Sequence, residues 1–346
     1  MKKKSQEYKL KKLNNLNLKK TLKFLFLLYI FFYYLKILDN KNINIIESCK
    51  KSQLDFCNNF NNNINFEIEK KIRLFDVSIN NISYNIYSTK KIMGLLTYQL
   101  SKNKVFEKYE SLNILKALTF YGSKKKILNN KDICMLDIGG NIGWYPSFLG
   151  RYGYTILTFE PFYQNFYISL KNYCHLNRNS NVIIINKGFD TEERICSYYR
   201  DKNSALNGMT LCNNDKGNIN IVRERFKKVG NVSLTRLKNF IPYLANKNIA
   251  LIKLDIEGAE EKAIKSGIEL ITRFHVPFIF IEFTPKLLIK HKSNPSDFIQ
   301  FFIDNDYAIS LNGFLEKSFI TLEELLIKTK SHLNIYLIYK KFIDLY

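Results

Sequence analysis

The segment best suited to binding a nucleotide-like ligand is a glycine-rich loop at residues 137–143. It has the sequence D-I-G-G-N-I-G and follows a short apolar run. Glycines let the backbone turn sharply and let a ligand approach closely, and the helix predicted after the loop offers free N–H groups. Glu160 stands seventeen residues after Gly143, at the end of the next apolar run. A carboxylate there can accept hydrogen bonds from both hydroxyls of a ribose, so the two segments together predict a nucleotide site.

Two cofactors compete for this loop. A dinucleotide fold prefers G-x-G-x-x-G, and here Ile138 occupies the place of the first glycine. Asp137 would repel a pyrophosphate, but its charge suits the cationic amino end of S-adenosylmethionine. The loop therefore favours the methyl donor, and the alternative is a structural turn in another kind of α/β domain. The predicted donor-binding residues are Asp137, Gly139, Gly140, Asn141, Gly143 and Glu160.

A second group of acids stands at the ends of two later apolar runs. Asp255 and Glu257 follow residues 250–254, and Glu282 lies near the end of residues 277–283. The carboxyl ends of parallel strands face the ligand crevice of an open sheet, and a carboxylate there can take a proton from a hydroxyl. We assign this catalytic role first to Asp255, then to Glu257 and Glu282, and no residue to a metal. Two alternatives stay open: a cation held by Asp255 and Glu257, or helix capping by Glu257 and Glu260.

The elements that must position these residues form one α/β domain. Near-continuous apolar strands that alternate with helices are typical of a parallel sheet covered on both faces. Helices are predicted at residues 144–152, 163–176 and 259–272, whereas residues 190–247 give no clear pattern. The predicted fold is a doubly wound, mostly parallel seven-stranded sheet. Its strands are Ile133–Ile138, Thr155–Phe159, Val182–Ile185, Ala250–Leu254, Pro277–Phe283, Tyr307–Leu311 and Asn334–Tyr339.

Three motifs in this order resemble the FkbM family of methyltransferases. The family's D-x-G-A-N-x-G loop corresponds to residues 137–143, its F-E-P element to residues 159–161, and its K-x-D-x-E-G-x-E motif to residues 253–260. The strand FIFIEF then carries the family's glutamate as Glu282. The resemblance covers roughly residues 106–340 and implies a Rossmann-like class I methyltransferase that uses S-adenosylmethionine.

The chain departs from the family pattern at two places. Gly140 stands where the family usually has alanine. The family also has Leu-Asp at the start of a short helix before the third motif, where this chain reads Arg236-Leu237-Lys238 and has no acid. That aspartate can serve catalysis or only cap the helix, so its absence bears on the substrate geometry.

The amino-terminal 130 residues divide by composition. Residues 1–20 form a basic tail, and residues 21–38 are largely apolar, with a lysine near each end. About 20 apolar residues span a bilayer, and the basic flank places the tail on the cytoplasmic side. We expect an uncleaved signal-anchor transmembrane helix at 21–38; a cleaved signal peptide and a buried helix are the alternatives. A stem is predicted at 39–70, an extension of hairpin and helix at 71–130, and the methyltransferase domain at 131–346.

Cysteines, glycosylation patterns and charge bear on the compartment. Cys49 and Cys57 could pair in an oxidising lumen, whereas Cys134 lies in an apolar strand. Acceptor patterns for N-glycosylation begin at Asn81 and Asn231. The net charge is +22, of which residues 1–23 supply +8, and the rest is spread without a dense run. This distribution does not indicate nucleic-acid binding.

These observations predict a methyltransferase with S-adenosylmethionine as donor and a glycan or lipid-linked hydroxyl as acceptor. The acceptor class is implied by the family resemblance alone. We expect a single-pass type II membrane protein of the Golgi or endoplasmic reticulum, with its catalytic domain in the lumen. The competing hypotheses are a methyltransferase-like binding module without activity and a nucleic-acid methyltransferase, although the Asn/Asp-Pro-Pro-aromatic run typical of the latter is absent.

Overall fold

The computed structural model describes residues 45–58, 65–90, 95–176, 181–202, 208–212 and 226–345. The predicted tail at 1–20 and anchor at 21–38 lie outside the described residues. Within the described ranges, no helix is both long enough and apolar enough to cross a bilayer. Residues 48–346 form one compact unit, and all contacts below belong to it.

Fourteen strands and thirteen α-helices can be followed in the described residues, with three short 3₁₀ helices at Asn130–Asp132, Gly150–Tyr152 and Leu237–Phe240. The strands are β1 (Ile72–Ile79), β2 (Ile82–Thr89), β3 (Ile133–Ile138), β4 (Thr155–Phe159), β5 (Val182–Ile185), β6 (Gly188–Phe189), β7 (Arg194–Asp201), β8 (Gly208–Leu211), β9 (Phe226–Thr235), β10 (Asn248–Leu254), β11 (Phe278–Phe283), β12 (Tyr307–Ser310), β13 (Phe319–Ile320) and β14 (Leu333–Tyr339). The helices are α1 (residues 45–58), α2 (Phe66–Glu69), α3 (Leu95–Asn103), α4 (Lys108–Lys125), α5 (Trp144–Leu149), α6 (Tyr163–Cys174), α7 (Ile241–Leu244), α8 (Glu260–Lys265), α9 (Glu269–Thr272), α10 (Pro285–Lys290), α11 (Pro295–Asp304), α12 (Leu322–Lys328) and α13 (Lys340–Ile343).

The main sheet contains all seven predicted strands, each within two residues of its expected bounds. Its order is β13-β12-β14-β11-β10-β3-β4-β5, so the two-residue strand β13 adds an eighth member. The pairs from β5 through β4, β3 and β10 to β11 are parallel, and β14 runs antiparallel to both of its neighbours. Strands β3, β4 and β5 are buried along their whole length, which fits a sheet covered on both faces. The predicted mostly parallel α/β fold is confirmed.

The chain reverses direction across the sheet beside β3. Strands β4 and β5 are added on one side of it, and β10 and β11 on the other. Open α/β sheets bind ligands outside the carboxyl ends of the strands at such a switch point. The loops after β3, β4 and β10 meet there, and they carry the acids and glycines singled out by the sequence.

A second sheet occupies the segment for which the sequence gives no clear pattern. Its order is β6-β9-β7-β8, with β7 antiparallel to both β8 and β9. A disulfide joins Cys196 to Cys212, just beyond β8. Phe162, at the start of α6, stacks on Tyr198 with ring centroids 4.3 Å apart. The disulfide joins β7 to the end of β8, and the ring contact places this sheet against the loop after β4.

The amino-terminal extension packs on the main sheet through specific contacts. The predicted hairpin is confirmed as β1 and β2, which are antiparallel. Within the predicted stem, Gln53 on α1 exchanges hydrogen bonds with the backbone of Val182 and Ile184. Cys57 forms a disulfide with Cys174 at the end of α6, so the expected pairing with Cys49 is wrong. Cys134 is a free, buried core residue, as predicted.

The predicted helix at 259–272 is divided into α8 and α9. Gly267 lies between them, and a Cβ there would be 2.8 Å from the side chain of Leu237. Leu237 begins the short helix that lacks the family's aspartate, and its N–H donates to Ser266 Oγ at 2.9 Å. In this chain a serine from the α8–α9 connection therefore caps that helix.

Candidate functional site

The glycine loop after β3 is held in a conformation that side chains would disrupt. Gly139 has φ 89°, and a Cβ on it would overlap the carbonyl oxygen of Asp255. Gly143 has φ 79°, and its Cβ would overlap Ser169 Oγ on α6. Both positions therefore require glycine, because the backbone is left-handed and a neighbouring element leaves no room for a side chain. The loop therefore begins tight against β10 and ends tight against α6.

Glu160 closes the loop from the end of β4. Its Oε2 accepts the N–H of Asn141 and its Oε1 accepts the N–H of Phe162, each at 2.9 Å. Burial raises the pKa of Glu160 to about 8, although the two backbone N–H groups and Lys253 act to lower it. Each carboxylate oxygen can accept a second hydrogen bond, as a ribose diol would require. Asn141 Oδ1 is also buried and has no partner among the described residues.

Asp137 lies beneath the loop and is fully buried. Thr158 Oγ1 donates a short hydrogen bond to Asp137 Oδ2, and Lys253 Nζ lies 3.5 Å from Oδ1. Burial raises the pKa of Asp137 above its ordinary value, against the opposing effects of Lys253 and Thr158. That this acid serves the cationic amino end of the donor, directly or through water, stays a prediction. The observed contacts give it a definite role in holding Lys253 and β4 to the loop.

Lys253 connects the loop to the second group of acids. Its Nζ donates to the carbonyl oxygen of Gly139 at 3.0 Å and lies 3.3 Å from Asp255 Oδ2. Burial alone would lower the pKa of Lys253, but the carboxylates of Asp255 and Asp137 outweigh it and keep the pKa above its ordinary value. A buried cation with two acidic neighbours is compensated rather than isolated. Lys253 is thus the ionic link between the donor loop and Asp255.

A cavity opens beside this loop at the carboxyl ends of the strands. The main sheet contributes Gly139, Asn141 and Glu160 to its lining, and the segment after β10 contributes Asp255 and Glu257. The second sheet supplies an apolar wall that the sequence did not predict. Its lining residues there are Tyr198, Met209, Cys212 and Leu234.

The three predicted catalytic acids lie near one another: Asp255 and Glu257 line the cavity, and Glu282 lies beside Asp255. Asp255 is about a third exposed, and Glu282 on β11 lies against it. The charge of Asp255 and burial raise the pKa of Glu282 well above its ordinary value, and the Glu282 carboxyl is hydrogen-bonded to Asp255. Glu257 sits in the turn after β10 with φ 57°. Asp255 and Glu282 therefore form a pair of adjacent carboxyl groups beside Lys253.

Glu260 has the structural role left open by the sequence. Its Oε1 accepts the N–H groups of Ile256 at 3.1 Å and Gly258 at 3.2 Å, which closes the turn before α8. Burial raises the pKa of Glu260 to about 7, and these N–H groups oppose the rise. Gly258 has φ 100°, and a Cβ there would be 2.5 Å from the backbone of Leu287. This turn places Asp255 and Glu257 in the lining of the cavity.

Glu107 also reaches this region, and sequence reasoning missed it. It precedes α4 in the extension, and Tyr145 donates from its hydroxyl to Glu107 Oε2 at 2.6 Å. Tyr145 stands two residues after Gly143, the last glycine of the loop. Its position was the sequence signal that could have drawn attention to its partner Glu107. Trp144, by contrast, is packed in the interior and donates to Ser111 Oγ at 2.9 Å. No group of three or more metal-ligating side chains occurs in the described ranges.

The sheet order, the glycine loop at its switch point and the acid after β4 define a Rossmann-like, class I methyltransferase fold. The family model for the methyltransferase FkbM domain matches residues 137–309, which is half of the chain. The chain belongs to this family, and its methyl donor is S-adenosylmethionine. The match begins at Asp137 and includes Glu160, Asp255, Glu257 and Glu282. The membership in the FkbM family that the three motifs predict is confirmed.

Two solved methyltransferase structures are also similar to the chain. One is magnesium protoporphyrin IX methyltransferase from Synechocystis PCC 6803 with bound S-adenosylmethionine, at 9% identity and TM-score 0.34, covering 71% of this chain and 85% of that one. The other is an O-methyltransferase from Bacillus cereus in complex with S-adenosylhomocysteine, at 13% identity and TM-score 0.31, covering 67% and 80%. These scores are low, and the family assignment does not depend on them. No curated protein matched the chain.

Proposed function

We propose that the protein methylates a hydroxyl group of a glycan or glycolipid in the secretory pathway. The observation that carries the proposal is the position of Asp255. It lines the donor cavity and also lies against Glu282 on β11, so one carboxylate borders both the donor cavity and the proposed acceptor side. A methyl group delivered from the cavity would meet an acceptor oxygen next to this carboxylate.

The residues around the cavity fit the donor. The loop glycines leave space where any Cβ would overlap, the buried Asn141 Oδ1 can accept a hydrogen bond from an amino group, and Glu160 can accept two from a ribose. Tyr198 and Met209 offer apolar surface to an adenine. When bound, S-adenosylmethionine supplies an electrophilic methyl group on a cationic sulfur.

Asp255 takes the acceptor's proton in this proposal. Lys253 Nζ lies 3.3 Å from Asp255 Oδ2 and Glu282 lies beside it, so this carboxyl group is held in place next to the cavity. The hydroxyl proton passes to Asp255 as the oxygen–methyl bond forms and the sulfur–methyl bond breaks, so the sulfonium becomes a neutral thioether. General-base catalysis of this kind contributes about 10² to 10⁴ in rate.

Several features support a lumenal enzyme. Two disulfides, Cys57–Cys174 and Cys196–Cys212, are typical of an oxidising compartment. The basic tail followed by the apolar run at 21–38 fits a type II anchor of the Golgi or endoplasmic reticulum. Glycans and glycolipids are abundant hydroxyl acceptors there, and the donor would have to be imported into that lumen.

The test compares wild type with Asp255→Asn in methyl transfer from labelled donor to fractionated glycans and lipids. We expect a fall of about 10² to 10⁴ in turnover, while S-adenosylhomocysteine binds with nearly unchanged affinity in calorimetry. Glu261→Gln is the matched control, because Glu261 is paired with Lys265 on α8 and does not line the cavity. Equal turnover by wild type and Asp255→Asn would refute the role of Asp255. Product binding without turnover on any fraction would instead favour an inactive binding module.

A further inference from the structure

Glu107 lies near Asp255, the proposed catalytic base, although it stands outside the segment that matches the family. It belongs to the extension, thirty residues before the segment that matches the family. Its backbone has φ 39°, and its N–H donates to Gln99 Oε1 at 3.2 Å. Its carboxylate accepts the hydroxyl of Tyr145. The side chain is therefore fixed from two directions, by α3 and by α5.

Charged and polar groups from several elements surround the Glu107 carboxyl group. Burial and the charge of Asp255 raise the pKa of Glu107 to about 7, while Lys253 and the Tyr145 hydroxyl act to lower it. Glu110, one turn further along α4, adds to the rise and accepts Asn334 Nδ2 at 3.0 Å. Asn334 is the register partner of Glu282 across β14 and β11. The extension thus brings two carboxyl groups to the side of the sheet that holds Asp255 and Glu282.

A buried hydroxyl gives an independent indication of a polar ligand here. Tyr336 is 1% exposed, and its hydroxyl has no hydrogen-bond partner among the described residues. Burial raises the pKa of this phenol, and the charges of Glu110 and Glu107 add to that rise. An unpaired buried hydroxyl is costly, and a polar ligand with its own hydroxyl groups would offset the cost.

We propose that Glu107 is a positioning and specificity residue of the acceptor end. Together with Glu110, Asp255 and Glu282 it forms a group of acceptor-side carboxyls, which hydrogen-bond the hydroxyls of an uncharged polyol and repel phosphate, sulfate or carboxylate groups beside the reacting oxygen. Lys253, beside this group, is already paired with Asp137 and Asp255. The net negative charge of this group contrasts with the chain's +22. The inference rests on the proposed O-methyl transfer.

The test uses the full-length protein in detergent, labelled donor and matched acceptor probes. The probes are the methyl glycosides of glucose, galactose and mannose, each with its uronic acid counterpart, which differs by one carboxylate. We expect wild type to favour the neutral member of at least one pair by about tenfold or more. Glu107→Gln should raise KM for that glycoside by a similar factor, narrow the preference and leave S-adenosylhomocysteine affinity unchanged. Glu107→Asp should restore the preference in part.

Glu67→Gln is the control, since Glu67 is exposed and pairs only with surface lysines. Equal or better transfer to the uronides overturns the inference and leaves O-methyl transfer standing. Full activity of Asp255→Asn refutes the proposed catalytic base, whereas the effect of Glu107→Gln on KM judges the inference separately. Absence of transfer to every neutral glycoside, or an unchanged KM in Glu107→Gln, also overturns the inference. If Glu107→Gln does not fold, the glycoside-to-uronide ratio of wild type decides alone.

Discussion

Glu160 must be ionised to accept two ribose hydroxyls, and its environment opposes ionisation. Burial raises its pKa to about 8 when no ligand is bound, so at neutral pH most of the carboxyl groups carry a proton. Donor hydroxyls stabilise the charged form, and binding therefore releases that proton. Affinity for the adenosyl group should rise with pH up to the pKa of the free protein and level off above it.

This linkage predicts that S-adenosylhomocysteine binds roughly tenfold or more tightly at pH 8 than at pH 6. Glu160→Gln should bind more weakly at pH 8, by about 10- to 100-fold, because it loses a charged acceptor. The variant should also lose the pH dependence. Calorimetry across this range checks both outcomes. A flat affinity profile for wild type would contradict the assignment of Glu160 to the ribose.

Gly140 stands where the family usually has alanine. The glycine leaves room for the side chain of Thr158, which packs against this position. A Cβ at Gly140 would be 2.7 Å from Thr158 Oγ1 and 3.1 Å from Asp137 Oδ2. Gly140→Ala should therefore destabilise the protein by about 1–3 kcal/mol through overpacking. Thr158→Ser removes a methyl group and frees the hydroxyl to turn, so the double variant should recover part of the loss. Denaturant unfolding of the four proteins measures this coupling, and strictly additive effects would contradict it.

The sequence could predict those site residues whose roles depend on local backbone geometry. Gly139, Gly143 and Glu160 follow from a tight turn between a strand and a helix and from the end of the next strand. The place of Asp255 was predictable because the carboxyl ends of parallel strands lie together at one edge of the sheet. Lys253 and Glu107 differ, because their roles depend on partners brought near by the fold. An apolar strand with one lysine does not reveal that two carboxylates compensate it.

At the scale of elements, the parallel strands were predictable because their burial is continuous. The second sheet was not, since its strands pair at long range and alternate in exposure. In β7, exposed Ile195 is followed by buried Cys196, and β6 contributes only two residues. The wall that this sheet adds to the donor cavity therefore follows from tertiary pairing rather than from a local pattern.

The disulfide between Cys57 and Cys174 ties α1 to the end of α6 across 117 residues of sequence. Closing so long a loop restricts the unfolded chain, and removing such a bond typically costs about 2–5 kcal/mol. Cys57→Ser/Cys174→Ser should unfold at lower denaturant concentration by this amount under non-reducing conditions. Cys49→Ser is the matched control, because Cys49 forms no disulfide. Equal midpoints for the two variants would show that the bond does not stabilise the protein.

For the whole molecule, the orientation of the chain across the membrane remains a prediction from residues 1–38, and the hairpin β1–β2 offers a test of it. Asn80 and Asn81 form its two-residue turn, with φ 49° and 62°, and Asn81 is exposed at the tip as the first residue of an N-x-S pattern. At Asn231 the pattern's hydroxyl is occupied instead, since Lys187 Nζ donates to Ser233 Oγ at 2.7 Å. A lumenal domain should therefore be glycosylated at Asn81 in preference to Asn231.

Expression of the full chain in a eukaryotic host should yield a microsomal protein whose mobility shifts on glycosidase treatment. Both Asn81→Gln and Ser83→Ala should abolish most of the shift, whereas Asn231→Gln should retain it, because the two asparagines differ in the access of their hydroxyl partners. The catalytic domain should also resist protease in sealed microsomes and be digested once detergent opens them. A protein that is digested in sealed microsomes and shows no glycosidase-sensitive shift would contradict the lumenal orientation, yet it would leave the donor site and the role of Asp255 untouched, since neither depends on the membrane.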